Sequence, residues 1–493
     1  MSSQPLRPYQ LDAYERCKQA AREGARRVLL VKPTGAGKTR TAAEFIKRSH
    51  DMGHHVVVLT HRRELRKQMA QRLLAEDIPR VGQIAPDEPL VNARVQVASI
   101  DTLVARKSKG LPPAKLVVFD EAHHSTAPTY KAIVDHYVAE GAFLLGLTAT
   151  PERGDGAAMG DVFERMVATV SVSDLQGLGV LVPCVTHRPD SRRKADDIGV
   201  HEPVAAYMLR TPGERAFVFC QTIEHAEQVA QTFLAEGIPA ATIHEGTHDT
   251  LRSARIAAFS SQSRDPLLAI GSTETPPMVL CNVYALTEGV DVPAASVCII
   301  ARSVGHPGML LQMVGRVGRA LLGPDGEPLR RDGGELVKSH CTLIDLSGAT
   351  LKHGLWEADR EWSLEGTPIK LTESEKKKPS KPCPKCTATV TGWATDREGW
   401  RICPCCRERV AAPLPPSTTP RELHEAGSAA SDKARSGAIV GLVRRSAARA
   451  GNRVGWVAHR YREKFNEWPP RGAVLEVMKR EGISPRGGEA GEW

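Results

Sequence analysis

The chain has 493 residues, a formal net charge of +9 and a pI near 9.0, with 41% hydrophobic and 5% aromatic residues. That length allows two to four domains with sizeable cores. The composition excludes a disordered or collagen-like chain, and the basic balance suits a polyanionic partner. No apolar run is long enough for a membrane helix, and "MSSQPLRPYQLDAYERC" lacks the apolar core of a signal peptide. A cytoplasmic protein without a membrane partner is therefore expected.

In chain order, "RRVLLV", "HHVVVLT", "RVQVAS", "KLVVFDEA" and "FLLGLTATP" read as buried strands, each followed by a polar or amphipathic stretch. This βαβα rhythm predicts an α/β domain with a parallel sheet over residues 1–187. Residues 188–203 read as a polar linker. The rhythm restarts with "RAFVFCQT", "PAATIHEG", "MVLCNVYA", "SVCIIARS" and "HCTLIDLS", which predicts a second such domain over 204–355. Residues 260–277 interrupt it as a surface loop. Residues 356–382 read as a basic linker, 383–410 as a cysteine-rich module, 411–420 as a Pro-rich linker and 421–493 as a basic, partly helical region.

"LLVKPTGAGKT" sets a Gly-rich turn between a strand and a helix. Backbone N–H groups of Pro33–Gly37 (Thr34, Gly35, Ala36 and Gly37), together with the helix N-terminus, would cradle phosphate oxygens. Lys38 would reach the β- and γ-phosphates, and Thr39 would ligate Mg²⁺. The general pattern has Gly at position 32, where this chain has Lys. "KLVVFDEAHH" then puts Asp120 and Glu121 at the C-terminal end of a strand, where open sheets bind ligands. Asp120 would hold Mg²⁺ through water and Glu121 would polarise the attacking water. Solvated strand-end carboxylates are the plain alternative; Lys38 upstream weighs against it.

"PTGAGKT", "DEAH" and "TAT", in this order, resemble the superfamily 2 helicases, which are nucleic-acid-dependent ATPases with two RecA-like domains. The match covers residues 5–355. By that resemblance "RPYQ" is the adenine-reading motif, with Arg7 and Gln10. His61 and Arg62 of "VLTHRREL", and Ser99 and Thr102 of "VQVASIDTL", would contact nucleic acid. "ALTEGVDVP" resembles motif V, with Thr287 on nucleic acid and Gly289 and Asp291 on ATP. "QMVGRVGR" resembles motif VI. It implies that Gln312, Arg316 and Arg319 face the nucleotide across the interdomain cleft, with Arg319 as the arginine finger. His123, Thr148 and Thr150 would couple nucleotide state to the rest. "DEAHH", "IDLSGATLKHG" and a C-terminal cysteine cluster resemble RadD-type DNA repair helicases of bacteria and phages.

The resemblance implies an ATP-dependent helicase or translocase, with DNA favoured over RNA and with repair or replication proteins as partners of the C-terminal region. The alternatives are an RNA helicase, or a zinc-dependent nucleic-acid-binding protein with a non-productive ATPase core. Finally, Cys383-x₂-Cys386 and Cys403-x₂-Cys406 have the spacing of a two-knuckle Zn²⁺ site, closed and structural, leaving out Cys405. "TATVTGW" and "GWRI" would form the hairpin of a zinc ribbon. Free thiols or a redox pair are the alternative.

Overall fold

The computed structural model describes residues 5–61, 63–86, 88, 91–125, 127–151, 158–260, 276–284, 292–323, 326–332, 334–365 and 370–377, parts of 382–411, and residues 439, 443, 457 and 473–481. They fall into two compact units, residues 1–395 with 401–410, and residues 396–400 with 411–493.

The first unit holds two parallel sheets. Seven strands form the first: β1 (Arg27–Val31), β2 (Val56–Thr60), β3 (Val81–Ile84), β4 (Val95–Ser99), β5 (Leu116–Asp120), β6 (Phe143–Thr148) and β7 (Arg165–Ala168), in the order β3-β4-β2-β5-β6-β1-β7. The second has β8 (Cys184–His187), β9 (Ala216–Cys220), β10 (Ala240–Ile243), β11 (Val279–Asn282), β12 (Val297–Ala301) and β13 (Cys341–Asp345), in the order β10-β11-β9-β12-β13-β8. Both are RecA-like α/β domains.

Continuous apolar runs make these strands because both faces of a parallel sheet are covered. Val28, Leu30, Val56 and Val58 join one core layer, while Leu29, Val31, Val57 and Leu59 join the layer on the opposite face. The same period-two split separates Phe217 and Phe219 from Ala216, Val218 and Cys220 in the second sheet. The order β5-β6-β1 places the C-terminal ends of three neighbouring strands together. Those ends carry Asp120, Thr148 and the glycine turn after Val31.

Two boundaries differ from the sequence reading. The strand Cys184–His187, counted there with the first domain, pairs with β13 in the second sheet. Four residues of mixed polarity cannot announce which sheet they join. Residues 356–382 are no simple linker. Trp356 is 1% exposed and fills the space a Cβ on Gly318 would need. Leu364 O accepts from the Gly160 amide at 2.7 Å, and Glu357 O accepts from Ser173 Oγ at 3.2 Å. The segment therefore straps the second domain to the first. The loop expected at 260–277 lies mostly outside the described residues.

The cysteine module has three short strands, β14 (Ala394–Thr395), β15 (Arg401–Ile402) and β16 (Arg409–Ala411). The hairpin is β14–β15, so its first strand falls just after "TATVTGW". Thr389, within that stretch, instead makes an antiparallel bridge with Thr186 of β8, with N–H···O distances of 3.2 and 2.7 Å. Arg210 adds hydrogen bonds to Cys386 O (3.1 Å) and Thr387 Oγ1 (3.0 Å).

In the second unit, the helix Ala473–Arg480 contributes buried Val474 and Met478, and Ile439, Val443 and Val457 are buried helical residues. The C-terminal region is thus partly helical, as expected. Among the described residues no helix is long and apolar enough to cross a membrane.

Candidate nucleotide site and four-cysteine centre

Val31 ends β1, and the chain turns through Gly35 (φ +88°) and Gly37 (φ +73°) before the helix Lys38–Asp51. Both glycines hold left-handed backbone that other residues adopt only with strain. Space also requires them. A Cβ on Gly35 would lie 2.8 Å from Leu181 and 3.2 Å from Arg319 Cγ, and one on Gly37 would strike Gln10 Nε2. The phosphate turn is therefore roofed by Gln10 on one side and by the second domain's Arg319 on the other.

Lys38 Nζ lies 3.4 Å from Lys32 O. Burial lowers its pKa, the carboxylates of Glu121 and Asp120 oppose that, and Arg316 and Arg319 add to it. All four groups thus act on the same ammonium. Asp120 ends β5 and its Oδ1 accepts from the Glu121 amide at 3.1 Å. Burial first, then Glu121, pushes the Asp120 carboxyl up to about 6, with Lys38 opposing. Two adjacent buried acids of this kind suit a divalent cation. Glu121 has φ 51° and ψ 55°, a left-handed geometry costly for a side chain of this size and concentrated at functional sites.

His123 Nδ1 lies 3.5 Å from Glu121 Oε2 and 3.4 Å from Thr148 Oγ1. Thr148 Oγ1 donates to Thr150 O at 2.6 Å and accepts from the Thr150 amide at 3.1 Å. The three coupling candidates therefore form one connected group. From the second domain, Gln312 and Arg316 are buried on and at the end of the helix Pro307–Gly315. A Cβ on Gly315 would approach Thr34 Cβ to 2.6 Å, so that helix lies directly on the phosphate turn.

Arg7 donates from Nη2 to Gly326 O at 2.7 Å and pairs with Glu327 at 3.6 Å, so its guanidinium engages a turn of the second domain. Its neighbour Tyr9 instead lies over the Lys32 ammonium, 5.0 Å from ring centroid to Nζ. His61 packs against His124, with ring centroids 4.2 Å apart. Ser99 is half-buried ahead of the helix Ile100–Arg106, and Thr102 within it is buried. Arg62, Thr287, Gly289 and Asp291 lie outside the described residues.

Lys32 is fully buried and donates to Thr41 Oγ1 at 3.0 Å. Burial, reinforced by Lys38, lowers its pKa from 10.5 to about 7. The unfolded chain therefore holds a proton that the folded chain sheds between pH 7 and 10.5, so stability rises with pH across that window. The cost to the folded state is complete below pH 7, on the order of 4 kcal/mol, and gone above 10.5. Lys32→Met should raise the melting temperature more at pH 7 than at pH 10. Equal shifts at both pH values would refute this.

Lys338 escaped the sequence reading. Its Nζ donates to Pro293 O (2.9 Å), Ala295 O (2.6 Å) and Val317 O (2.6 Å), which uses all three ammonium protons. It ties the segment after motif V to the turn that carries Arg316 and Arg319. A single lysine at no special spacing gives no signal of this. Lys338→Met should strand three carbonyls, at about 1–3 kcal/mol each, which denaturant titration would register.

The four-cysteine centre stands apart from this site. Cys383, Cys386, Cys403 and Cys406 bring their sulfurs within 4.8 Å of one another. Cys383–Cys406 and Cys386–Cys403 are each 3.7 Å apart. A tetrahedron with Zn–S bonds of about 2.3 Å has edges of about 3.8 Å, so the cluster has the dimensions of a thiolate metal site. Hydrogen bonds from the Thr387 amide to Cys383 O (2.8 Å) and from the Cys403 amide to Glu408 O (2.8 Å) shape the two knuckles.

Comparison with known proteins agrees with this architecture. The family described as "Type III restriction enzyme, res subunit" matches residues 3–153, and "Helicase conserved C-terminal domain" matches residues 201–321. One match falls on each of the two core domains. A Saccharomyces cerevisiae protein named "Putative ATP-dependent helicase IRC3" is 26% identical over 71% of this chain and 52% of its own. A Schizosaccharomyces pombe protein named "Putative mitochondrial ATP-dependent helicase irc3" is 30% identical over 63% of this chain and 54% of its own. The chain thus spans about half the length of these relatives. In fold, it is similar to a fragment of an HsdR subunit of a type I restriction enzyme from Vibrio vulnificus. The TM-score is 0.55 at 21% identity, over 75% of this chain and 68% of that one.

Proposed function

We propose that the protein hydrolyses Mg-ATP between its two RecA-like domains to move along DNA, in repair, recombination or replication. The observation that carries this reading is the contact of Gly35 with Arg319, with Lys38 under the joint influence of Asp120, Glu121, Arg316 and Arg319. Half of the charge constellation comes from each domain, so closing and opening the cleft would assemble and disperse it. Thr39 and Asp120 would hold Mg²⁺, and Glu121 would orient the attacking water. Bound Mg²⁺ would neutralise phosphate charge. Arg319, with Arg316 beside it, would stabilise charge on the transferring phosphoryl group. Gly289 and Asp291 are assigned to ATP. His61, Arg62, Ser99, Thr102 and Thr287 are assigned to nucleic acid.

DNA is favoured because some relatives carry DNA-directed names, among them a "DNA 3'-5' translocase XPB2" of Sulfurisphaera tokodaii, 23% identical over 63% of this chain. Kinship with RadD-type helicases rests on "DEAHH", the Asp345 turn and the cysteine cluster. Asp345 accepts from Ser347 Oγ (3.0 Å) and from the Ala349 (3.0 Å) and Thr350 (2.7 Å) amides. The cysteine dimensions support one structural zinc, which would leave Cys405 free.

ATP hydrolysis measured in parallel with single-stranded, duplex and forked DNA and with RNA tests the reading. Stimulation by RNA alone would overturn the choice of DNA. Binding should also weaken steeply with salt, with log affinity falling linearly against log salt because phosphate contacts release counterions. A flat salt titration would remove the backbone-gripping mechanism.

A further inference from the structure

Tyr284 and Arg302 lie outside every motif considered so far. In the second sheet, Asn282 of β11 pairs with Phe219 of β9, and Ala301 of β12 pairs with Cys220. Tyr284, Gln221 and Arg302 therefore leave the sheet at one level of its C-terminal edge, the edge at which open α/β sheets take their ligands.

Three observations set the pair apart. Tyr284 has φ +55°, a left-handed backbone that is a true outlier for a bulky aromatic residue and marks functional positions. It is 46% exposed, and among the described residues it is the sole exposed Phe, Tyr or Trp. Beneath it, the Arg302 guanidinium carbon lies 3.8 Å from the ring centroid, although Arg302 is only 1% exposed. Arg302 Nε donates to Ser303 O at 3.3 Å, but its buried Nη1 has no hydrogen-bond partner and no carboxylate pairs with it among the described residues. The strand end is held in place by the Ser303 amide, which donates to Gln221 Oε1 at 3.2 Å.

A buried cation with no carboxylate partner among the described residues, under a strained, presented ring, matches two features of a single strand at once. A base face can stack on the ring, and the phosphate beside it is drawn to the guanidinium. Ordinary packing explains neither the backbone strain nor the unsatisfied Nη1. We infer that Tyr284 and Arg302 form a stacking platform for an unpaired base of single-stranded DNA. This rests on the motor reading above and adds to it a contact of the second domain that does not depend on sequence.

The test uses the full chain and a fluorescent oligo(dT) strand in an anisotropy titration. Tyr284→Phe should bind within about twofold of wild type, whereas Tyr284→Ala should bind about 5- to 150-fold more weakly, as loss of one stacked base requires. The slope against log salt should stay the same in Tyr284→Ala, because stacking releases no counterions. Equal binding by the Ala variant and wild type overturns the platform and leaves the motor reading intact. No binding by wild type overturns both. If Tyr284→Ala loses its cooperative melt, photocrosslinking of wild type to 5-iodouracil-substituted oligonucleotide decides instead. Attachment at Tyr284 supports the platform, and attachment only at other residues overturns it.

Discussion

Arg319→Ala should lower nucleic-acid-stimulated ATP turnover by about 10³- to 10⁵-fold, the range of arginine fingers, while ATP still binds. Arg319 enters from the second domain and meets the phosphate turn at Gly35. The turn itself, with Lys38 and Thr39, belongs wholly to the first domain and stays intact in the variant. Equilibrium binding of a fluorescent nucleotide should therefore change by less than turnover does. Arg319→Lys should rescue little, because a point ammonium lacks the planar fork. A variant that retains turnover within tenfold of wild type would remove Arg319 from the reaction and transfer the role to Arg316.

The second large effect is expected at the four-cysteine centre. Purified protein should carry one zinc per chain, and Cys403→Ser or treatment with a strong chelator should release it. A structural thiolate site contributes on the order of 10 kcal/mol of folding free energy, far more than these three short strands can supply alone. Losing the metal should therefore unfold the module as a unit. The readout is local. The Thr186 amide, which donates to Thr389 O at 3.2 Å, should change from slow to fast hydrogen exchange. Amides in the middle of the second sheet, such as that of Val218, should remain protected. Unchanged protection of Thr186 after complete metal removal would show that the module folds without metal.

The nucleotide site was legible to the extent that its parts are local. A strand, a Gly-rich turn and a helix follow one another in "LLVKPTGAGKT", and the acids stand at the end of "KLVVFD". The pattern states both the residues and their geometry. Long-range partners were less legible. Motif resemblance supplied Arg316 and Arg319, but nothing in the spacing revealed that Gly35 abuts Arg319 or that Gly315 abuts Thr34. Arg7 was given to the nucleotide on its motif alone, and its contact with Gly326 depends on a turn more than three hundred residues away. Tyr284 and Lys338 carried no signal, because a backbone dihedral angle and three carbonyl contacts are properties of the fold. The strand at 184–187 was misplaced for a related reason: its partner, β13, begins at residue 341.

The bridge between Thr186 and Thr389 also sets an order of assembly. During synthesis β8 leaves the ribosome about two hundred residues before the segment that covers its outer edge. Its inner neighbour, β13, arrives only at residue 341. Through that interval the strand has neither partner, and an open strand edge invites pairing with other chains. The outer edge of the second sheet is therefore covered only once the four-cysteine segment has been made. On the proposed zinc reading, withholding zinc during expression should lower the yield of soluble protein.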